Sequence, residues 1–294
     1  MGVTISTIDK NGGNDENIGR LKLATVKETT FFLAEAEKFD NYLNKINENI
    51  HNTTSRIGMY YESVYPDINE TKREQITEWL VDFQEKNEKW QILLELLKKL
   101  KEIWILPLSY SADGGMPHTR GTKYICVPGG FFDVDRDNGM TLKHELIHLH
   151  QKMDRQKWDK LYSDSWDWKP WRGKLPEKYE AIRRINPDTE WCGALYVIKN
   201  TWVPFCVYRE IDRPNVRHTI VWYYNIYTGM VWKSTGIFDL PPEIADDSAW
   251  TDTRINMAMR EHPNEMSAWF LASPEKYENC ILSRLFSRNW PKLN

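Results

Sequence analysis

Apolar residues recur at helical spacing through the first third of the chain. Phe32, Phe39, Leu43, Ile46 and Ile50 follow one another at steps of three, four or seven positions, and Ile76, Leu80, Phe83, Trp90, Leu93, Leu97 and Leu100 continue the pattern. This predicts a helical region over residues 28–102, broken near YPDIN, with stripes that pack into a core rather than form a partner groove. Residues 1–27, rich in Asn, Gly and Asp from Thr7 to Gly19, read as a flexible arm.

The period then changes. IWILPLSY is β-prone, and Pro107 places it at the edge or the end of a sheet; GTKYICVPGG reads as a second strand closed by a Pro-Gly-Gly turn. Between residues 160 and 250 the runs ALYVIKNTWVPFCVYRE and HTIVWYYNIYTGMVWKST, broken by Asn, Pro and Gly, predict a β-rich insertion of antiparallel strands. NEMSAWFLAS and EKYENCILSRLFS predict two closing helices. Helices and strands segregate along the chain, so the expected class is α+β.

Composition narrows the function classes. The 39 Lys and Arg residues against 42 Asp and Glu leave a net charge of −3, which argues against nucleic acid as a partner. No apolar run is long enough to span a membrane, and no secretory signal opens the chain, so the expected location is cytoplasmic or inside a particle such as a virion. MGVTIS fits the pattern for myristoylation of Gly2, the one route to a membrane partner. The N-x-T sequons at Asn52 and Asn69 are expected to be polar surface. Cys126, Cys192, Cys206 and Cys280 lack metal-knuckle spacing; Cys192 and Cys206 flank a hairpin and could pair, although reduced core thiols are the favoured reading.

The chemistry concentrates in TLKHELIHLHQ. With Thr141 as N-cap and Leu142, Leu146, Leu149 and Met153 on one apolar face, the segment predicts a helix running to about Trp158. His144 and His148, four apart, then share another face close enough to hold one zinc ion, and Glu145 sits one step around as a general base. Neutral imidazoles leave the metal its charge, so a coordinated water becomes acidic enough for Glu145 to take its proton and pass it to a leaving amine. His150 points away and is expected to make a hydrogen bond or lie at the surface. The preceding DVDRDNG resembles a calcium loop through Asp133, Asp135, Asp137, Gly139 and Glu145, but its glycine is one residue out of register, which favours a solvated turn.

A third ligand is needed. The pattern that would place it at Asp154 requires a glycine where Gln151 stands. In REHPNEMSAWFLAS, Pro263 suits the first turn of a helix, His262 its cap, and Glu265 projects from that turn; Ala268 and Ala272 allow close packing. Glu265 is therefore the leading third ligand, with Glu261 and Asp154 as alternatives and helix capping as its bland role.

HELIH together with HPNEMSAWFLA makes the chain resemble the zincin metallopeptidases whose third ligand is a glutamate on a later helix. The stretches MPHT, TLKHELIHLHQ and EHPNE also look like the uncharacterised zincin-like proteins of large DNA viruses. The resemblance implies a zincin-like domain over residues 103–294, zinc held by His144, His148 and Glu265, Glu145 as base, and an edge strand at Lys123–Val127 that pairs with a protein or peptide substrate. No motif marks the oxyanion donor. Tyr223, Tyr224, Tyr227 and His218 from the insertion are candidates that also read as packed sheet residues, and His118 could line the cleft or hold a turn. The N-terminal helices could serve as a lid or docking arm. The competing reading is a non-catalytic structural or virion-associated protein that keeps zinc to hold itself together; an intact Glu145, unnecessary for that role, favours the enzyme. A nuclease or DNA-repair protease is disfavoured by the charge balance.

Overall fold

A computed structural model describes residues 19–47, 68–109, 112–133, 138–191, 193, 195–210 and 217–290. Gly2, Ile50, Asn52, Asp135, Asp137 and Cys192 fall outside these, and with them the lipidation, first-sequon, calcium-loop and disulfide readings. The elements in order are β1 (Arg20–Leu23), α1 (Val26–Asp40), α2 (Tyr42–Asn47), α3 (Glu70–Lys86), α4 (Gln91–Leu100), β2 (Glu102–Leu108), β3 (His118–Arg120), β4 (Tyr124–Pro128), α5 (Gly139–Met153) and α6 (Arg155–Trp166). They continue as β5 (Lys169–Trp171), α7 (Glu177–Glu180), α8 (Pro187–Glu190), β6 (Leu195–Val197), β7 (Trp202–Tyr208), β8 (Thr219–Asn225), β9 (Val231–Trp232), α9 (Pro242–Ala245), α10 (Met257–Glu261), α11 (Pro263–Ala272), α12 (Pro274–Tyr277) and α13 (Ile281–Asn289). The protein is α+β, and among the described residues no helix is long and apolar enough to cross a membrane.

The sheet that positions the site runs β1-β2-β4-β3, with β1, β2 and β4 parallel and β3 antiparallel to β4. Its strands are apolar on both faces because helices cover both. Ile103, Ile105, Ile125 and Val127 meet a core shared with α3, α4 and α5, whereas Leu106, Leu108, Tyr124 and Cys126 face Leu33 and Ala36 of α1. Each fully buried aliphatic side chain contributes about 1.5–3 kcal/mol here. A smaller antiparallel sheet, β7-β8-β9, and the β5-β6 pair form the strand-rich insertion, which also contains α6 to α9.

Several local expectations change. Residues 20–27 are no loose arm: β1 pairs with β2 from Arg20↔Glu102 to Leu23↔Ile105, and Thr25 caps α1 through a reciprocal bond with Glu28. Phe39 leaves the predicted apolar stripe and is 54% exposed. Pro107 sits at a strand end, past the last β1 partner, so its missing N–H costs no ladder bond. The segment Lys123–Val127 does not supply the edge: β4 lies between β2 and β3, and the edge belongs to β3. Asn69 caps α3, accepting from the backbone N–H of Lys72 at 2.9 Å.

A buried ion pair ties α1 to β3. Arg120, 0% exposed, donates from Nε and Nη2 to both carboxylate oxygens of Asp40 at 2.8 and 2.9 Å and to Glu37 at 2.7 Å. The backbone N–H of Gly121 adds a bond to Asp40 at 2.9 Å, and its φ of +55° is one that glycine adopts without strain. The ring of Tyr42 lies 4.9 Å from the Arg120 guanidinium, and Tyr42 lines the candidate site.

Candidate metal centre

α5 begins at Gly139 with Asn138 as N-cap, so Thr141 lies inside the first turn. The helix stops at Met153: Asp154 ends α5 and caps α6, accepting from the N–H of Lys157 at 3.3 Å, which removes it from the ligand candidates. Leu142, Leu146 and Leu149 are buried as the apolar spacing required. The opposite side carries His144 and His148, one turn apart, with Nε2 atoms 3.0 Å from each other.

α11 crosses against α5 and supplies the third group. His262 is its N-cap, its Nδ1 accepting from the N–H of Asn264 at 3.1 Å, and Pro263 opens the first turn. Glu265 Oε2 then lies 3.4 Å from His144 Nε2 and 3.7 Å from His148 Nε2. Among the described residues these three form the one group of His, Cys, Asp and Glu able to hold a metal ion. Glu261 turns elsewhere and pairs with Arg184 at 2.7 Å.

The surroundings fix each donor. His148 Nδ1 is 2.8 Å from Gln151 Oε1, and Gln151 spends its own amide donors on Asn264 O and Ser267 Oγ, both at 3.0 Å. Its oxygen must therefore accept, which puts the proton on His148 Nδ1 and leaves Nε2 facing the cluster. Asn186 donates from Nδ2 to Glu265 Oε1 at 2.9 Å, leaving Oε2 for the imidazoles. The indole of Trp269, one turn beyond Glu265, packs edge-on against His144 with centroids 4.9 Å apart.

Glu145 is 3% exposed, and its Oε2 is buried with no hydrogen-bond partner. Burial first, and the nearby Asp188 carboxylate second, push its acid well above the ordinary range. Burial also lowers His144. Burial opposes charge on His148 too, but Asp188 and Glu265 outweigh it and raise the imidazolium to about 10. Burial works against the Glu265 carboxylate, and the imidazoles of His148 and His144 overcome it, holding Glu265 well below the usual carboxylate range. The cluster thus stabilises a positive charge between its three donor atoms.

His144, Glu145 and Glu265 line a cavity of about 320 Å³, together with Tyr42, His118, Asp188 and Trp269. His118 is thereby placed at the cleft, with Nδ1 2.9 Å from Met116 O. The insertion candidates are not among the lining residues. Tyr223 is buried in the core with its phenol pushed up by burial, Tyr224 packs on Trp171 and Tyr179, Tyr227 is 74% exposed in the β8–β9 turn, and His218 is exposed just before β8. Their sheet packs against α10. His150 makes the buried hydrogen bonds expected of it, to Glu95 at 2.7 Å and from the indole of Trp158 at 3.1 Å. Asp133 pairs with Lys72, and Glu145 lines the cavity. Cys206 is a free buried thiol.

Sequence reasoning missed Gln151, Asn186 and Asp188. Gln151 carried a usable signal, three residues past His148 on the same helix. Asn186 and Asp188 sit in NPDT, which reads only as a helix cap; Asp188 accepts from the N–H of Thr119 at 2.7 Å and its hydroxyl at 2.5 Å, joining the β3 edge to the site. No protein-family model matches the chain, and neither a curated protein nor a solved structure is detectably similar to it.

Proposed function

We propose that the chain is a zinc-dependent peptidase of zincin type. The observation that carries this reading is the convergence of one donor atom each from His144, His148 and Glu265, at a cavity that His144 and Glu265 share with Glu145 and its unpartnered oxygen. Tetrahedral ligands about 2.0–2.2 Å from a shared zinc ion stand about 3.3–3.6 Å apart. The separations of 3.0, 3.4 and 3.7 Å bracket that value, and two imidazoles with one carboxylate leave a fourth position for water or substrate.

Zinc, when bound, supplies a Lewis acid that polarises a carbonyl and makes water easier to deprotonate. The protein does the rest. Gln151 and Asn186 hold His148 and Glu265 in the orientation that points one donor atom of each at the metal. Glu145, raised by burial, accepts a proton from the attacking water on its free oxygen and returns it to the leaving amine. Asp188 adds to burial in raising the Glu145 acid and fixes the β3 edge beside the cavity. An edge strand so occupied at Thr119 leaves His118 and Met116 as the nearer contacts for substrate.

The test is hydrolysis of a peptide library by zinc-supplied protein against Glu145→Gln. Cleavage by the parent, absent in the variant and stopped by chelator, is expected. A zinc-loaded parent that cleaves nothing leaves the non-catalytic, metal-stabilised protein as the better reading.

A further inference from the structure

Three carboxylates line the cavity at the metal centre: Glu145, Asp188 and Glu265. Glu265 is engaged with the imidazoles and Glu145 is the proposed base, whereas Asp188, 5% exposed, faces the cavity with half of its carboxylate unspent. Its Oδ1 accepts from the backbone N–H and the hydroxyl of Thr119 at 2.7 and 2.5 Å; among the described residues no hydrogen bond or ion pair reaches Oδ2. The backbone of Asp188 is pinned as well. Its N–H donates to Asn186 Oδ1 at 3.0 Å, and its carbonyl accepts from the indole of Trp191 at 3.0 Å.

A buried carboxylate is costly unless a cation or several donors meet it. The cations of the region are bonded elsewhere. Lys152, also buried, gives its ammonium to the carbonyls of Thr119 at 3.1 Å and Pro187 at 3.3 Å, so it attracts Asp188 without bonding to it. Arg184, the one lysine or arginine among the described lining residues, pairs with Glu261 at 2.7 Å. A group entering the cavity therefore meets an excess of carboxylate. Asp188 also ends the sheet edge: the Thr119 N–H that an added strand would use is already bonded to it, and α8 packs along β3. An extended substrate cannot continue strand pairing through Thr119, and a cavity of about 320 Å³ lies at the small end of ligand sites, which suits the end of a chain or one side chain.

We propose that Asp188 is the specificity-determining group of this cavity and receives a positively charged nitrogen of the substrate, either the terminal ammonium of a peptide or the side chain of a basic residue beside the cleaved bond. The inference rests on the peptidase reading and narrows its substrate to chains that carry a cation next to that bond. Both sources present the same chemistry, an N–H donor bearing full positive charge, and such a donor on Oδ2 forms the stronger, charge-assisted kind of hydrogen bond. The carboxylate is held in place beforehand by Thr119, Asn186 and Trp191, so the substrate does not have to order it.

The test measures binding of short C-terminally amidated peptides to zinc-supplied Glu145→Gln protein, which separates recognition from hydrolysis. One neutral sequence is used with a free N-terminus and with an acetylated one, and the acetylated form is repeated with Lys at the first or the second position. At pH 7, where a terminal amine of pKa about 8 is mostly charged, a cationic peptide is expected to bind about tenfold or more tighter than the acetylated neutral one. Adding Asp188→Asn, whose amide oxygen can still accept from Thr119, is expected to bring that ratio near one, with zinc content and unfolding temperature checked. A gain from the free amine alone assigns the site to a chain end, and a gain from Lys alone assigns it to a basic side chain. No gain from any cation overturns the proposal whether or not the variant folds, and so does a gain that persists in folded, zinc-loaded Asp188→Asn. Hydrolysis of the same peptides by the parent separates the two claims. Cation-selective binding without cleavage keeps the Asp188 site and removes the peptidase; cleavage indifferent to charge does the reverse.

Discussion

Gln151 accepts the Nδ1 proton of His148 at 2.8 Å while its amide nitrogen donates to α11 at Asn264 and Ser267. One side chain therefore sets the tautomer of one imidazole of the His144–His148–Glu265 cluster and bonds to the helix that carries Glu265. Gln151→Leu keeps the approximate volume and removes both functions. Zinc affinity is expected to fall about 10–100-fold, the usual range for losing an outer partner of a ligating histidine. Competition with a chromophoric chelator checks it; unchanged affinity removes Gln151 from the account.

Metal and proton compete for the same space. Because Asp188 and Glu265 outweigh burial and raise His148 to about 10, the metal-free cluster holds a proton at neutral pH. Zinc binding must displace it, so about one proton is released per ion at pH 7, and apparent affinity rises with pH. Calorimetry in buffers of different ionisation enthalpy measures the release. A zinc affinity independent of pH between 6 and 9 contradicts this ordering of charges.

Glu145→Gln separates binding from chemistry. The amide keeps the shape of the carboxylate but cannot carry the proton, so zinc content is expected to match the parent while hydrolysis falls by about 10²-fold or more. Retained hydrolysis in a zinc-loaded variant excludes Glu145 as the base.

The Arg120 clamp predicts how the fold responds to acid. Burial raises the Asp40 acid, but the bond and charge of Arg120 more than compensate, and its pKa lies below the ordinary 3.8. A group depressed on folding contributes stability that is complete above its unfolded pKa and is lost as pH falls through the folded one. Stability is therefore expected to decline below about pH 4 partly through this site, and Asp40→Ala to cost about 3 kcal/mol at neutral pH by removing the carboxylate that accepts from both Nε and Nη2 of the buried Arg120. Urea unfolding of both proteins at pH 7 and pH 3 checks it: the gap should narrow in acid.

How much of this was legible in sequence depended on range. His144 and His148 were readable because four residues on a helix is a local geometry, and Glu265 because Pro263 and His262 mark where its helix begins. Asn186 and Asp188 were not, since their roles come from tertiary contacts with Glu265 and Thr119 that NPDT does not encode. The insertion tyrosines misled for the converse reason: alternation locates Tyr223 in a strand but not which body that strand packs against. β1 and β3 were missed because RLKL and HTR are too short for periodicity to register. Losing β3 moved the edge of the sheet to β4. The buried side chains of Thr119 and Arg120 in β3 bond to carboxylates far away in sequence, Asp188 and Asp40.

The most direct test of the central claim is the zinc content, by elemental analysis, of purified parent protein and Glu265→Ala prepared side by side with zinc supplied. About one zinc per chain in the parent and a clear loss in the variant are predicted by a three-ligand site. No zinc taken up by the parent, or equal zinc in both, contradicts it.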